Sequence, residues 1–402
     1  MRCANGIVKE YLLMNFLFAV NLIALLFSFF VVGAILGAFF SKPIREKLVV
    51  LLHLQQIQRF LLNKSSHNPI LIPGKNPWTA EAVLNPAAVV LGDRTHLIYR
   101  AIGVDGVSRL GYASSPDGIT FDKRLPYPVF VAQKPRNMPG HVQRYSPVLY
   151  PSGGSWGGCE DPRMVTIEGR VYVTFNMFDG WDYIRVATIS IAEEDFMSGQ
   201  FWKWDGPHLL SQPQQIHKNW VLFPEKIGGK YAILHSVVPK VEVAYRDAIE
   251  DIGTTEPFVA SWAGARSDLP VREDVWDSFI RGAGPPPVKT DRGWLLLYHA
   301  IDERDPGRYK LGAMLLDLTD PTKVLYRSVA PVLSPDEPYE NHGKPGIVYA
   351  CGAVVRDDKL FVYYGGADKV ICVATASLED FLKALVAGGH PSLVEMTPAQ
   401  TT

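Results

Sequence analysis

The chain has 402 residues, 47% apolar and 20% charged, with a formal net charge of −1. That balance belongs to a folded protein, and a near-neutral chain without a basic run interleaved with aromatics excludes nucleic acid as the expected partner. Cys3, Cys159, Cys351 and Cys372 are widely spaced and form no C-x-x-C pair, so neither a zinc site nor a disulfide framework is signalled.

Residues 11–41 carry no charge, and the run over 12–40 is dominated by Leu, Phe, Val, Ile and Ala. It exceeds the roughly 20 residues that span a hydrocarbon core, so residues 1–41 read as a single transmembrane anchor. A cleaved signal peptide is the competing reading, but its apolar core is shorter, about 7 to 15 residues, and no small-x-small cleavage site closes this run. Arg2 and Lys9 precede the run, whereas Lys42, Arg45, Lys47, Arg59 and Lys64 follow it, a bias that favours a single-pass membrane protein with a cytoplasmic catalytic domain. Over residues 42–69, Ile44, Leu48, Leu51, Leu52, Leu54, Ile57, Leu61 and Leu62 recur at helical spacing. They suit an amphipathic juxtamembrane linker touching membrane lipid, or equally a linker helix packed on the body.

Beyond residue 70 one pattern returns five times: a turn residue or two, then a short β-rich run with aromatics. It occurs at residues 92–103 (GDRTHLIYRAIG), 169–178 (GRVYVTFNMF), 229–237 (GKYAILHSV), 293–301 (GWLLLYHAI) and 358–367 (DKLFVYYGGA). A second strand and an acidic turn follow most copies, as in LGYASSPDG at 110–118 and LGAMLLDLTDP at 311–321. This repetition predicts an all-β, five-bladed β-propeller over residues 70–390, preceded by the transmembrane helix and followed by a tail at 391–402. A sandwich or jelly roll is the alternative. Helical signal is thin, as over 378–386.

The segment GGCEDPR at 157–163 places Glu160, Asp161 and Arg163 in a turn at a strand entrance. Read locally, this is either a turn with a surface ion pair or a catalytic acid tuned by its neighbours, as glycosidic cleavage requires.

Glu160, Asp161, Pro162 and Arg163 resemble the catalytic motif of glycoside hydrolase family 130. Further matches run in order: Asn85, Pro86, Ala87; Tyr99, Arg100, Ala101; Gly111, Tyr112, Ala113, Ser114 with Asp117 and Gly118; LFPEK at 222–226; GAGPP at 282–286; Gly293, Trp294, Leu295, Tyr298 and His299; and Gly365, Gly366, Ala367 and Asp368. The resemblance covers residues 70–380 and implies a five-bladed fold and an inverting phosphorylase of β-mannosides, giving mannose 1-phosphate. It implies Asp161 as general acid, acting through the 3-hydroxyl of the bound mannose. Arg100 and Asp368 would hold that sugar, with Asn85, Asp117, Glu160, Arg163 and Tyr298 as further substrate-binding candidates. Lys218, Arg281 and His299 are the candidate phosphate ligands.

The expected partners are an oligosaccharide or glycan and inorganic phosphate as co-substrate, with no other cofactor and no metal. Two departures bear on phosphate: His235, Ser236 and Val237 stand where many members carry H-R-P, and Ile280 stands where a basic residue is usual, with Arg281 one place on. Lys240 or Arg246 are substitutes for a missing cation. An inverting β-mannosidase, with Glu225 or Glu242 as base, and a non-catalytic glycan-binding protein are the alternatives.

Overall fold

Contacts divide the chain into Met1–Arg59 and Phe60–Thr402. The computed structural model describes residues 62–132, 155–179, 184–212, 216–238, 240–249 and 276–388, all in the second unit. The apolar run at 12–40, most of the linker and the tail at 391–402 lie outside the described residues.

After β1 (Asn63–Lys64), the region of the first repeat forms β2 (Ala82–Leu91), β3 (Arg94–Ile102), β4 (Val107–Ser115) and β5 (Lys123–Arg124). The second forms β6 (Gly157–Ile167), β7 (Arg170–Phe178), β8 (Arg185–Ala192), the short helix α1 (Glu193–Met197) and β9 (Asp205–Leu209). The third gives β10 (Val221–Leu222), β11 (Tyr231–Ser236) and β12 (Glu242–Arg246). β13 (Phe279–Ala283), β14 (Val288–Thr290), β15 (Gly293–Asp302), β16 (Asp305–Leu316) and β17 (Val324–Arg327) form the fourth. The fifth comprises β18 (Val348–Arg356), β19 (Lys359–Gly366), β20 (Val370–Ser377) and helix α2 (Leu378–Gly388).

Each of the five repeated segments is a strand, namely β3, β7, β11, β15 and β19, with antiparallel partners on both sides. The turn residues ahead of them have a backbone reason. Glu168–Gly169, Gly228–Gly229 and Asp357–Asp358 all sit at positive φ, the geometry that matches the twist of a tight hairpin.

The hydrogen-bonded sheets correct the expected propeller. Among the described residues there are four, of three, four, five and eight strands, rather than five equal blades, and no closed ring or barrel is formed by the pairing. The cause is local: β4 and β6 pair in parallel at Val107↔Gly157 and Ser108↔Gly158, fusing the first two repeats into one sheet. A Cβ at Gly158 would lie 2.1 Å from the Ser108 carbonyl oxygen, so this junction requires glycine. The fold is thus mostly β, with α1 and α2 as its described α-helices.

Membrane placement is corrected as well. No described helix is long and apolar enough to cross a membrane. The longer helix, α2, has 11 residues and spans about 16 Å against the roughly 30 Å of a hydrocarbon core. A single-pass membrane protein with a cytoplasmic catalytic domain is therefore not supported, nor is contact with membrane lipid.

Two repeats share one packing device. Tyr99 pairs across strands with Gly111, and a Cβ there would meet its ring at 2.4 Å; the Arg124 guanidinium lies over the ring, 5.5 Å from its centroid, and donates to its hydroxyl. In the fourth repeat Tyr298, Gly312 and Arg327 repeat the arrangement, with Arg327 at 5.8 Å. Successive strand residues point to opposite faces, so while Tyr99 and Tyr298 fill the layer between sheets, Arg100 and His299 point the other way. This alternation builds the site.

Candidate active site

In β2, Asn85 and Pro86 together oppose Tyr99; in β6, Asp161 and Pro162 together oppose Phe175. Both are bulges, which re-aim a side chain out of the pleat, and the prolines have no N–H to leave unpaired there. Asn85 and Asp161 lie at φ 48° and 49°, a left-handed conformation that Asn and Asp tolerate better than most residues. Asp368 reaches the same region at φ 50° in the turn between β19 and β20, after Ala367 at 53°.

These excursions bring the side chains into one buried network. Asn85 Nδ2 donates to Asp161 Oδ1 at 2.7 Å, and Arg100 Nη1 donates to the same oxygen at 3.1 Å. Arg100 also donates through Nη2 to Glu160 Oε1 at 3.0 Å and to Ser155 Oγ, and through Nε to Ser108 Oγ. Glu160 is fully buried, and Lys218 Nζ approaches its other oxygen at 3.2 Å. Arg163 does not point at the acid's carboxyl. It donates to the carbonyl oxygens of Asp161, Ala283 and Gly284 and to Asn219 Oδ1, bracing the Asp161 bulge against the fourth repeat.

His299 is buried and stacks on the Tyr349 ring at 3.9 Å between centroids. Its Nε2 accepts the Ala350 N–H at 3.0 Å, so in the neutral ring the proton sits on Nδ1. Burial, reinforced by Arg163, pushes its pKa down to about 3, and Nδ1 meets no protein acceptor among the described residues. Arg281 lies over the Phe279 and Tyr309 rings, close enough to act electrostatically on His299, while Ile280 is buried on the other face.

The charges set two of the site carboxylates apart. Burial opposes ionisation of Asp161, but Arg100, Lys218 and Arg163, with Asn85 donating, hold it below the ordinary carboxylate range. For Asp368, burial and the nearby Asp161 prevail over Lys344 and Arg100, and its pKa is raised. Neighbouring acids with proton affinities driven apart are the pattern of acid–base sites.

Of the candidate residues, Asn85, Arg100, Glu160, Asp161, Arg163, Lys218, His299 and Asp368 come together, with Arg281 at the margin. Asp117 and Tyr298 do not. Asp117 is exposed and caps its own turn: desolvation opposes its charge, but the N–H groups of Thr120 and Ile119, from which it accepts, together with Ser115, bring its pKa down to about 2. Tyr298 donates to Asp277 Oδ2 at 2.7 Å in the layer between sheets. Glu225 pairs with Lys289 and Glu242 with Lys240, both outside this network, and Ser236 donates to the Val238 carbonyl oxygen. Arg246 Nη1 donates to the Tyr245 carbonyl oxygen.

Sequence reasoning missed Ser155, Asn219, Tyr349 and Lys344. Asn219 lies at φ 63° and accepts from both Arg163 and the Tyr349 hydroxyl, the latter at 2.9 Å. An Asn ahead of a strand was the available signal.

A buried Asp–Arg–Glu network, flanked by further cations and built on strand bulges of a mostly-β protein, is suited to the hydroxyl-rich substrates of a carbohydrate-active enzyme. A family model described as beta-1,4-mannooligosaccharide phosphorylase, of glycoside hydrolase family 130, matches residues 54–386. The chain belongs to that family. It is 36% identical over 328 residues to a 1,2-beta-oligomannan phosphorylase of Thermoanaerobacter sp. (strain X514), covering 79% of this chain and 98% of that one. A beta-1,2-mannobiose phosphorylase of the same organism is 33% identical over 336 residues, covering 80% and 98%. Among solved structures, a glycosyl hydrolase from Bacteroides ovatus is similar with a TM-score of 0.61 and 25% identity, covering 79% of this chain and 94% of that chain.

Proposed function

We propose that the chain is an inverting phosphorylase of β-1,2-linked mannosides. The linkage follows the two Thermoanaerobacter relatives. Phosphate attacks the anomeric carbon from the face opposite the leaving glycan, the glycosidic C–O bond breaks, and α-mannose 1-phosphate and a shortened glycan leave. Asp161 supplies the proton, passed through the 3-hydroxyl of the mannosyl unit to the departing oxygen.

The observation that carries this reading is the environment of Asp161. Among the described residues both side-chain hydrogen bonds of Asp161 fall on Oδ1, which leaves Oδ2 to a sugar hydroxyl. Lys218, one of the cations that hold Asp161 ionised, is also a candidate phosphate ligand. A phosphate dianion beside Lys218 and Arg281, with the His299 Nδ1–H as donor, offsets their positive field and raises the proton affinity of Asp161, so co-substrate binding arms the acid. Without phosphate Asp161 stays a carboxylate, the form that serves as base in the synthetic direction.

Incubation with β-1,2-mannobiose, with and without phosphate, tests the assignment. Phosphate-dependent mannose 1-phosphate is expected, and Asp161→Asn should reduce its formation by at least about a hundredfold while leaving the thermal midpoint near wild type. Free mannose formed at the same rate with or without phosphate would refute phosphorolysis.

A further inference from the structure

The loop that enters β18 passes over the turn that carries Asp368. Lys344 N–H donates to the Ala367 carbonyl oxygen at 2.8 Å, and Ala367 N–H donates to the Ile347 carbonyl oxygen at 3.1 Å. Between them the approach is so close that a Cβ at Gly343, at φ 149°, would lie 2.5 Å from the Ala367 oxygen. Loop and turn are locked by backbone contacts, which fixes where the Lys344 side chain begins. Its Nζ ends 3.6 Å from Asp368 Oδ2, with 34% of the lysine side chain exposed and 8% of the aspartate.

Among the described residues, the charged groups acting most strongly on Asp368 come from three elements: Lys344 from this loop, Arg100 from β3 and Asp161 from β6. Arg100 is already shared between Glu160 and Asp161. We propose that Lys344 is a positioning residue of this site, its ammonium fixing the Asp368 carboxylate and its negative charge where the mannosyl hydroxyls bind. The inference rests on Asp368 holding the mannosyl unit.

Two consequences follow from the charge. An ionised carboxylate accepts hydrogen bonds from sugar hydroxyls through both oxygens, whereas a protonated one gives up part of that capacity. With Lys344 removed, burial and repulsion from Asp161 are opposed only by the shared charge of Arg100 among these groups, so Asp368 takes up a proton at a higher pH.

Full-length Lys344→Met and Lys344→Arg variants test this in steady-state assays with β-1,2-mannobiose and phosphate from pH 5 to 8, following mannose 1-phosphate and free mannose together. Calorimetric titration with mannose reads binding without turnover. Lys344→Met should raise KM for the mannoside and Kd for mannose by about tenfold with kcat little changed. The acid limb of kcat/KM should move to higher pH, and Lys344→Arg should restore both. An unchanged KM and acid limb in Lys344→Met would overturn the proposal. So would an arginine variant as impaired as the methionine one, with an equally lowered thermal midpoint, since that marks a packing role. Wild type that binds mannose yet yields no mannose 1-phosphate refutes phosphorolysis alone, because the mannose Kd values still decide the role of Lys344.

Discussion

Asn85, Asp161 and Asp368 share positive φ and deep burial, a combination that costs roughly 1–3 kcal/mol per residue for a non-glycine side chain. The surrounding contacts sustain it. Gly365 shows how tightly: a Cβ there would lie 2.2 Å from Asn85 Oδ1 and 3.0 Å from its backbone nitrogen. Gly365→Ala should therefore displace Asn85, loosen the bond to Asp161 and lower kcat/KM by about tenfold or more with a modest loss of thermal midpoint. A full kinetic comparison checks it, and wild-type kcat/KM would show that Asn85 does not orient the acid. Arg100 is a poorer probe of chemistry, because removing it takes a shared cation from the buried Glu160 and Asp161 at once, and breaking a buried ion pair costs about 3–5 kcal/mol of stability. The acid motif was legible in the sequence through its resemblance to the family motif, since Glu160–Arg163 read locally fits a surface ion pair as well. Partners such as Ser155 and Tyr349 were not, since nothing local distinguishes a Ser or Tyr that meets the site only through the fold.

At the scale of the strand, the rule that one residue faces the interlayer and the next the opposite side separates two neighbouring candidates of the sequence reading. Tyr298 and His299 are adjacent, so only one of them reaches the site. His299 does, while Tyr298 closes the Tyr298–Gly312–Arg327 device that Tyr99, Gly111 and Arg124 also form. Tyr298→Phe removes the hydroxyl that donates to Asp277, whose other oxygen has no hydrogen-bond partner among the described residues. The loss should be about 1–3 kcal/mol of stability by denaturant titration, with KM for the mannoside unchanged. A raised KM with full stability would place Tyr298 in the binding site after all. The strands themselves were readable because glycine turns and β-branched or aromatic runs recur together. Which strands share a sheet was not, since the junction of β4 and β6 passes through Gly157 and Gly158, residues with no side-chain pattern to read.

Across the whole molecule, burial keeps several histidines neutral. Desolvation lowers His217 and His235 to about 4 and His299 to about 3, from an ordinary value of 6.5. Between these values the unfolded chain binds protons that the folded one refuses, so stability rises with pH across this window and is fully present above about 6.5. The thermal midpoint should accordingly fall as pH is lowered from 7 toward 4, with protons taken up on unfolding. A midpoint flat over that range would show that these rings titrate normally in the fold.

β1, the first described strand, does not pair with its neighbours in sequence. Asn63 and Lys64 join β20 at Thr375 and Ala374, and Lys64 Nζ reaches the buried Glu340 at 2.6 Å and the Ser334 carbonyl oxygen at 2.7 Å. The earliest of the described strands therefore meets its partner only once the chain has been translated through the fifth repeat, and its docking adds the Lys64–Glu340 ion pair to a loop already tied by backbone bonds to the Ala367 turn. Closure of this part of the body is thus a late event of biosynthesis, and a ribosome stalled within the fifth repeat would hold a chain with the Asp161 bulge made and the turn of Asp368 still to be built.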